Sequence, residues 1–136
     1  MNFRNILNIK KQKTLSKNIH TSNYKWPDYI LILDKHNFTE FISKYPLSVV
    51  DFWAPWCAPC RTMEPRLRRL SKLYQGKVAF GKINIQDNRD ISQKYKIMGI
   101  PNLLFFSYGK KILSISGIKP IGDIKKIIED KIKKQN

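Results

Sequence analysis

Hydrophobic and polar positions recur with two different periods along the chain, and the two periods predict strands and helices in turn. Short runs rich in β-branched and aromatic residues predict strands, whereas apolar residues three or four positions apart predict helices. Strands are predicted at Tyr29–Leu33, Leu47–Trp53, Val78–Ile85, Leu103–Phe106 and Lys111–Ile115. Helices are predicted after Asn37, from Cys57 to Tyr74, over Asp90–Lys96 and after Pro120. The resulting order is βαβαβαββα.

This alternation of strands and helices predicts an α/β fold with helices on both faces of a largely parallel sheet, finished by an antiparallel hairpin. Asn37 with Glu40 three residues later has the spacing of a helix N-cap and its capping partner. The four residues Ser107–Lys110, centred on a glycine, predict the hairpin loop. One apolar face of the long helix is predicted at Met63, Leu67, Leu70 and Leu73.

Charge is distributed unevenly over the 136 residues, which carry 26 Lys and Arg against 10 Asp and Glu, a net charge of +16. No acidic residue precedes Asp28, and residues 1–27 combine basic and hydroxyl side chains with Phe3, Ile6 and Leu7 on one helical face. That pattern is typical of an organellar transit peptide, whereas a secretory signal needs an apolar stretch of about 7 to 15 residues. We therefore expect residues 1–27 to be a targeting presequence, disordered or cleaved, and residues 28–136 to be the folded domain.

The basic leader favours the mitochondrial matrix over a plastid, because no signal peptide precedes the basic stretch. A plastid-type organelle, and a cytoplasmic protein with a disordered basic tail, are the alternatives. Without residues 1–27 the chain keeps 20 basic and 10 acidic side chains, a net charge of +10. The longest apolar run, Tyr29–Leu33, is much shorter than the roughly 20 residues of a spanning helix, so no membrane span is expected.

Both cysteines lie in Trp56-Cys57-Ala58-Pro59-Cys60, at a predicted strand-to-helix junction. A zinc site needs four ligands, and the only histidines are His20 and His36, so a metal site is not expected. An inert structural disulfide would gain little stability from closing so short a loop. A dithiol that cycles is the third interpretation, because a helix N-terminus stabilises the first thiolate and the second thiol is one turn away. The spacing at this junction favours the cycling dithiol.

The run Val50-Asp51-Phe52-Trp53-Ala54-Pro55-Trp56-Cys57-Ala58-Pro59-Cys60 resembles the active-site segment of the thioredoxins. Further residues match other positions of that family: Pro65 its helix kink, Lys82 its buried lysine, Gly99-Ile100-Pro101 its cis-proline segment, and Gly109 and Gly117 two glycines. The resemblance covers about residues 28–134. It implies the thioredoxin fold, a central mixed sheet flanked by helices on both faces.

The resemblance also implies a thiol–disulfide oxidoreductase, specifically a protein disulfide reductase. Cys57 would be the nucleophile and Cys60 the resolving thiol. Asp51, a costly lone carboxylate in an apolar strand, would face Cys60, pair with Lys82 and accept the Cys60 proton. Pro59 and Pro65 would support the site from within the helix.

A substrate groove beside the cysteines is implied as well. Pro101 would be cis, although an X–Pro bond is cis in only about 5–6% of cases, and the Ile100 backbone would pair with an extended substrate segment. An apolar rim around Cys57 would be formed by Trp56, Ile100, Gly117 and Ile118. Asn102 and Ile118 depart from the family pattern, where threonine and a small residue are usual, so partner choice stays open. Ala58 in place of glycine leaves the chemistry unchanged.

No bound cofactor is implied, because the Cys57–Cys60 disulfide is itself the redox group. The implied partners are disulfide-containing proteins such as peroxiredoxins and a flavin-dependent thioredoxin reductase, and we expect a monomer. A disulfide oxidase or isomerase is one alternative, although such enzymes often carry a histidine where this chain has Ala58-Pro59.

A basic binding module with an incidental redox site is the other alternative. The chain lacks the interleaving of aromatic and basic residues that stacks bases, so nucleic acid is not expected. Four arginines follow the cysteines in the predicted helix, at Arg61, Arg66, Arg68 and Arg69. They form either a solvated helix face or a surface that steers acidic partners.

Overall fold

The elements of the structure follow the predicted order βαβαβαββα. The strands are β1 (Leu31–Leu33), β2 (Ser48–Trp53), β3 (Ala79–Asn84), β4 (Asn102–Ser107) and β5 (Lys110–Ser116). The helices are α1 (Phe38–Lys44), α2 (Ala58–Leu73), α3 (Arg89–Lys94) and α4 (Ile121–Gln135). The structure, a computed structural model, describes residues 26–135. The first 25 residues of the predicted presequence therefore lie outside the described residues.

The five strands form one mixed sheet in the order β1-β3-β2-β4-β5. The first three strands run parallel, and β4 pairs antiparallel with both β2 and β5. This arrangement confirms the predicted fold class. Within residues 26–135, no helix combines the length and the apolar character needed to cross a membrane.

Each face of the sheet is covered by a different pair of helices. On one face α2 and α4 bury Leu67 and Ile124 against Val49 and Phe105 of the sheet, among other residues. On the other face, α1 and α3 pack against a cluster that includes Val50 and Phe52. Because neighbouring residues of a strand point to opposite faces, Asp51 lies on the same face of β2 as Val49. That face is the one covered by α2, the helix that begins at the cysteines.

The folded part of the chain begins no later than Trp26. The Trp26 ring packs against Tyr45, with the two ring centroids 4.9 Å apart, and it adjoins the cluster under α1. Trp26 thus lies two residues ahead of the predicted boundary at Asp28, the first acidic residue of the chain.

The predicted capping box of α1 was wrong in its contacts. Asn37 does stand at the N-cap, but its side chain bonds no N–H of the helix. Instead, its Oδ1 accepts a hydrogen bond from the Asp34 N–H at 2.8 Å, and its amide donates to the Ile32 carbonyl at 3.2 Å. The side chain therefore closes the turn between β1 and α1, an alternative that local hydrogen bonding offers to asparagine.

Two further local predictions were wrong. The side chain of Leu73 is 59% exposed, and Ser71 and Tyr74 are buried at this end of α2 instead. The hairpin loop is shorter than predicted, because the paired strands reach Ser107 and Lys110. Only Tyr108 and Gly109 remain unpaired, with φ values of 45° and 89°. A two-residue turn with positive φ at both positions matches the twist of the flanking strands.

Candidate active site

A disulfide between Cys57 and Cys60 lies at the N-terminus of α2, with the two Cα atoms 5.3 Å apart. Cys57 is the N-cap residue, and its Sγ accepts a hydrogen bond from the Cys60 N–H at 3.2 Å. The first N–H groups of a helix lack partners within it, so they and the helix dipole stabilise negative charge on this sulfur. Pro59 stands in the first turn, where an N–H is not needed. The arrangement suits a Cys57 that reacts as a thiolate.

The surroundings of the two sulfurs are apolar. Both cysteines are buried with Ala54, and Trp53, Ile85 and Ile100 pack against this small cluster. Residues 26–135 contain no group of three or more His, Cys, Asp or Glu placed to hold a metal ion. The redox-active group that the described residues offer is therefore the disulfide itself.

The cis-proline segment and the segment after β5 lie side by side at the edge of this cluster. The Ile100–Pro101 peptide bond is cis, which confirms the expectation drawn from the resemblance. The Gly117 N–H donates to the Pro101 carbonyl at 2.8 Å, with Gly117 at φ 89°, a conformation that favours glycine. This bond joins the residue before Ile118 to the residue after the half-buried Ile100. No hydrogen bond among the described residues uses the backbone N–H or carbonyl of Ile100.

Large apolar side chains are exposed on this rim. Trp56, directly before Cys57, is 63% exposed, and Ile118 is 45% exposed. Met98 is 94% exposed and lies two residues before Ile100 in the sequence, and the sequence analysis did not single it out. An apolar residue in a loop next to Gly99-Ile100-Pro101 was the signal that could have identified it.

Two side chains of α2 hold the segment that carries Ile118. The Arg66 guanidinium donates to the Lys119 carbonyl at 2.6 Å, and the Lys119 N–H donates to the Met63 Sδ at 3.5 Å. Met63 and Arg66 stand three positions apart and therefore share one side of the helix. From the sequence, Arg66 was expected only as a surface charge. The structure gives it a contact that fixes the rim relative to the disulfide helix.

Asp51 is only 4% exposed, and its Oδ1 has no hydrogen-bond partner among the described residues. Burial raises the pKa of Asp51 from 3.8 to about 7, with Lys82 lowering it and Glu64 raising it to smaller extents. Asp51 and Lys82 stand opposite each other in the parallel strands β2 and β3. The carboxyl therefore changes charge near neutral pH, where a general base is most useful.

Lys82 acts electrostatically on Asp51, the partner expected for it, but its ammonium is in contact with a different carboxylate. The Lys82 Nζ lies 3.3 Å from the Glu64 Oε2 and 5.0 Å from the centroid of the Trp53 ring. No ion pair within 4 Å joins Lys82 to Asp51 in residues 26–135. The long side chain reaches a partly exposed carboxylate at the edge of α2, where an ion pair stays hydrated and costs less desolvation than one beside Asp51.

Glu64 was absent from the sequence-based site, although it is the only acidic residue of α2 and stands four positions after Cys60. Its Oε2 also accepts a hydrogen bond from Arg68 at 3.1 Å. Pro65, the next residue, lies inside α2 as predicted for the kink position.

Comparisons with known proteins give a consistent result. A family model described as "Thioredoxin" matches residues 29–130. "Thioredoxin M5, chloroplastic" of Oryza sativa subsp. japonica is 36% identical over 104 residues, which are 75% of this chain and 60% of that protein. The chain spans 52 to 62% of the length of this protein and two other chloroplastic relatives, and bacterial thioredoxins also match.

Two solved structures share the fold. A mutant thioredoxin from Halobacterium salinarum NRC-1 has a TM-score of 0.74 at 26% identity, covering 81% of this chain and 96% of that one. A structure described as addressing the thiol resolving mechanism in yeast mitochondrial 1-Cys peroxiredoxin via glutathione/thioredoxin systems has a TM-score of 0.68 at 28% identity. That match covers 74% of this chain and 94% of the other.

Proposed function

Because the chain belongs to the thioredoxin family, we propose that it is a protein disulfide reductase whose redox group is the Cys57–Cys60 disulfide. The observation that carries the proposal is the position of Cys57 at the N-cap of α2, where its sulfur accepts the Cys60 N–H. A sulfur placed there is stabilised as a thiolate, which is the attacking form in thiol–disulfide exchange.

The reaction begins with the reduced dithiol. The Cys57 thiolate attacks one sulfur of a target disulfide and forms a mixed disulfide, while the other target sulfur leaves as a thiolate and takes a proton. Cys60 then gives its proton to the Asp51 carboxylate and attacks the Cys57 sulfur. The second target sulfur leaves, the target has gained two electrons, and Cys57 and Cys60 end as the disulfide seen in the structure.

Asp51 is the proposed proton acceptor for the resolving step. It lies on the face of β2 that α2 covers, and burial raises its pKa to about 7. A base with a pKa near the working pH combines a useful fraction of ionised carboxylate with a strong tendency to take the proton. Lys82 acts on this carboxylate at longer range, because its ammonium is held by Glu64.

The proposed substrate groove runs over Ile100 and Pro101. An extended segment of the target pairs with the free N–H and carbonyl of Ile100, as an added strand does at a sheet edge. Trp56 and Ile118 supply the apolar contacts on either side. This groove positions the target disulfide against Cys57.

Peroxiredoxins and a flavin-dependent thioredoxin reductase are the proposed partners. One solved structure of similar fold concerns resolution of a yeast mitochondrial peroxiredoxin by glutathione and thioredoxin systems, which supports the first. The reductase would supply the two electrons that regenerate the dithiol. We propose that the protein acts as a monomer.

The segment before Trp26 is the proposed mitochondrial presequence, on the strength of its basic and acid-free composition. A plastid is the alternative, and the chloroplastic relatives lend it support. A fluorescent protein fused behind residues 1–25 should enter mitochondria. Import into plastids, or a diffuse cytosolic signal, would contradict the mitochondrial address.

Insulin reduction tests the proposed activity. The full chain with a flavin-dependent reductase and its nicotinamide donor should precipitate the insulin B chain, and the Cys57→Ser variant should not. If the full chain fails to reduce insulin both with this system and with dithiothreitol, the proposal is overturned. Activity retained in Cys57→Ser would show that the redox site lies elsewhere. A reduction potential of about −180 mV or higher would favour an oxidase or isomerase instead.

A further inference from the structure

Three elements bring one cation and two carboxyls together beneath the disulfide helix. Asp51 on β2 is buried, and Lys82 stands opposite it on β3. The Lys82 ammonium lies 3.3 Å from Glu64 on α2, although Lys82 and Asp51 are direct neighbours in the register of β2 and β3. One lysine therefore stands between two carboxyls, and the carboxyl on α2 holds it.

We propose that Glu64 is a positioning residue for the resolving step, because it holds the Lys82 ammonium at the edge of α2 and keeps it out of a direct ion pair with Asp51. The inference rests on the proposed reductase function, and it names a residue that adjusts the proton affinity of Asp51, the proposed base. Glu64 itself touches neither sulfur in any described contact, so its effect passes through Lys82 and through its own charge.

Within residues 26–135, the charges that act on Asp51 come from Lys82 and Glu64. From α2 the charged group that acts on Asp51 is Glu64, and Cys60 is held in the disulfide. From β3 the group is Lys82, and the residue opposite Asp51 on β4 is the apolar Leu103.

Farther out, a surface cleft of about 210 Å³ is lined by Lys82 and Glu64 together with Asp28, Arg68 and Lys72. Arg68 is bound to Glu64, so it also lies on the Glu64 side of Lys82. The balance between Glu64 and Lys82 is thus the main adjustable charge effect on the buried carboxyl.

Releasing Lys82 from Glu64 would change the base in a definite direction. An ammonium in contact with Asp51 favours its ionised form, and loss of the Glu64 charge acts in the same direction. The carboxylate would then form at lower pH, but it would hold a proton less strongly and take one from Cys60 less readily. With Glu64 present, the base titrates close to neutrality, where Cys60 must lose its proton.

The test uses the full chain with Glu64→Gln, a substitution that keeps shape and removes charge at a partly exposed site. Titration of the Asp51 carboxyl in the oxidised protein is followed by carbon NMR. We expect its midpoint to fall by on the order of one pH unit relative to the unaltered chain. In single-turnover decay of the mixed disulfide, the acid limb of the pH profile should move by the same amount.

Two further variants separate this role from a general charge effect. Glu40→Gln, on the exposed side of α1, removes the same charge and should leave the midpoint unchanged. In a Lys82→Met background, Glu64→Gln should move the midpoint by less than it does with Lys82 present, because only the direct charge effect is left.

An unchanged or raised midpoint in Glu64→Gln, or an equal fall in Glu40→Gln, would overturn the proposal. The proposal would also be overturned if Glu64→Gln lowered the Asp51 midpoint in the Lys82→Met background by as much as it does with Lys82 present. The NMR titration needs no turnover, so its outcome is independent of insulin reduction. Failure of the chain to reduce insulin would refute the proposed function, whereas an Asp51 midpoint that does not change in Glu64→Gln would refute the positioning role alone.

Discussion

Replacing Asp51 with asparagine should stabilise the oxidised protein, and the gain should grow with pH. Asp51 is 4% exposed and its Oδ1 has no partner among residues 26–135, so ionising it in the folded protein costs free energy. Burial raises its pKa from 3.8 to about 7. Asparagine has nearly the same shape and never ionises, so the cost of ionisation disappears while the packing is kept.

The direction in which stability changes with pH follows from how many protons Asp51 binds in the folded and in the unfolded state. Well below pH 3.8 the carboxyl is protonated in both the folded and the unfolded state and contributes no pH dependence. Between pH 3.8 and about 7 the folded protein keeps a proton that the unfolded chain has lost, so stability falls as pH rises. Well above about pH 7 the carboxyl is ionised in both states, and the full cost of ionising it in the folded protein is present.

The size of the effect follows from the same two values. The rise of the pKa from 3.8 to about 7 is roughly three pH units, and each unit corresponds to about 1.4 kcal/mol. Ionised Asp51 therefore lowers the free energy of unfolding by about 4 kcal/mol above neutrality. That is a large share of the roughly 5 to 15 kcal/mol that stabilises a typical domain.

Urea unfolding of the oxidised chain and of Asp51→Asn, at pH values from about 4 to about 8, measures the difference directly. The difference in the free energy of unfolding should increase across this range by about 4 kcal/mol in favour of Asp51→Asn. Asp87→Asn, at an exposed site, should change stability by no more than about 0.5 kcal/mol throughout. A difference between Asp51→Asn and the unaltered chain that does not vary with pH would refute the reasoning.

Three other predictions concern the rim and the surface charge. Arg66→Met removes the hydrogen bond to the Lys119 carbonyl, so it should raise KM for protein disulfides several-fold with little change in kcat. In urea unfolding it should lower the free energy of unfolding by about 1.5 kcal/mol. An unchanged KM would contradict a role of Arg66 in holding the rim. Met98→Ser should lower kcat/KM for protein disulfides but not for a small aromatic disulfide, because Met98 is 94% exposed and stands two residues before Ile100 of the proposed groove. An equal loss with both substrates would point to the chemistry instead. If the positive domain steers acidic partners, raising the salt from about 0.01 M to about 0.5 M should slow their reduction in stopped-flow measurements, and a rate independent of salt would exclude steering.

Much of the fold was accessible from the sequence because its signals are local. The order βαβαβαββα follows from hydrophobic periods within single elements, and the N-cap position of Cys57 follows from a strand ending just before an apolar helix. The turn at Tyr108 and Gly109 was misjudged, because the pattern did not show how far the strands pair. The cis bond before Pro101 could be anticipated only through the resemblance, since local preference favours trans.

The side-chain contacts that define the site in detail could not be predicted from the sequence. Glu64 and Lys82 are separated by 18 positions, and Arg66 and Lys119 by 53, so each pair meets only when α2 is docked on the sheet. The lysine carries one charge that either carboxyl could attract, and the sequence does not state which is nearer. Only the packed geometry shows that Glu64 holds it.

The central claim is that Cys57 attacks a target disulfide and that Cys60 resolves the product. A reduced Cys60→Ser chain, mixed with a disulfide-bonded peroxiredoxin, tests it by trapping the intermediate for peptide mapping by mass spectrometry. We predict a stable adduct joined through Cys57, and none with Cys57→Ser. Absence of any adduct with Cys60→Ser, or an equal yield from Cys57→Ser, would contradict the account.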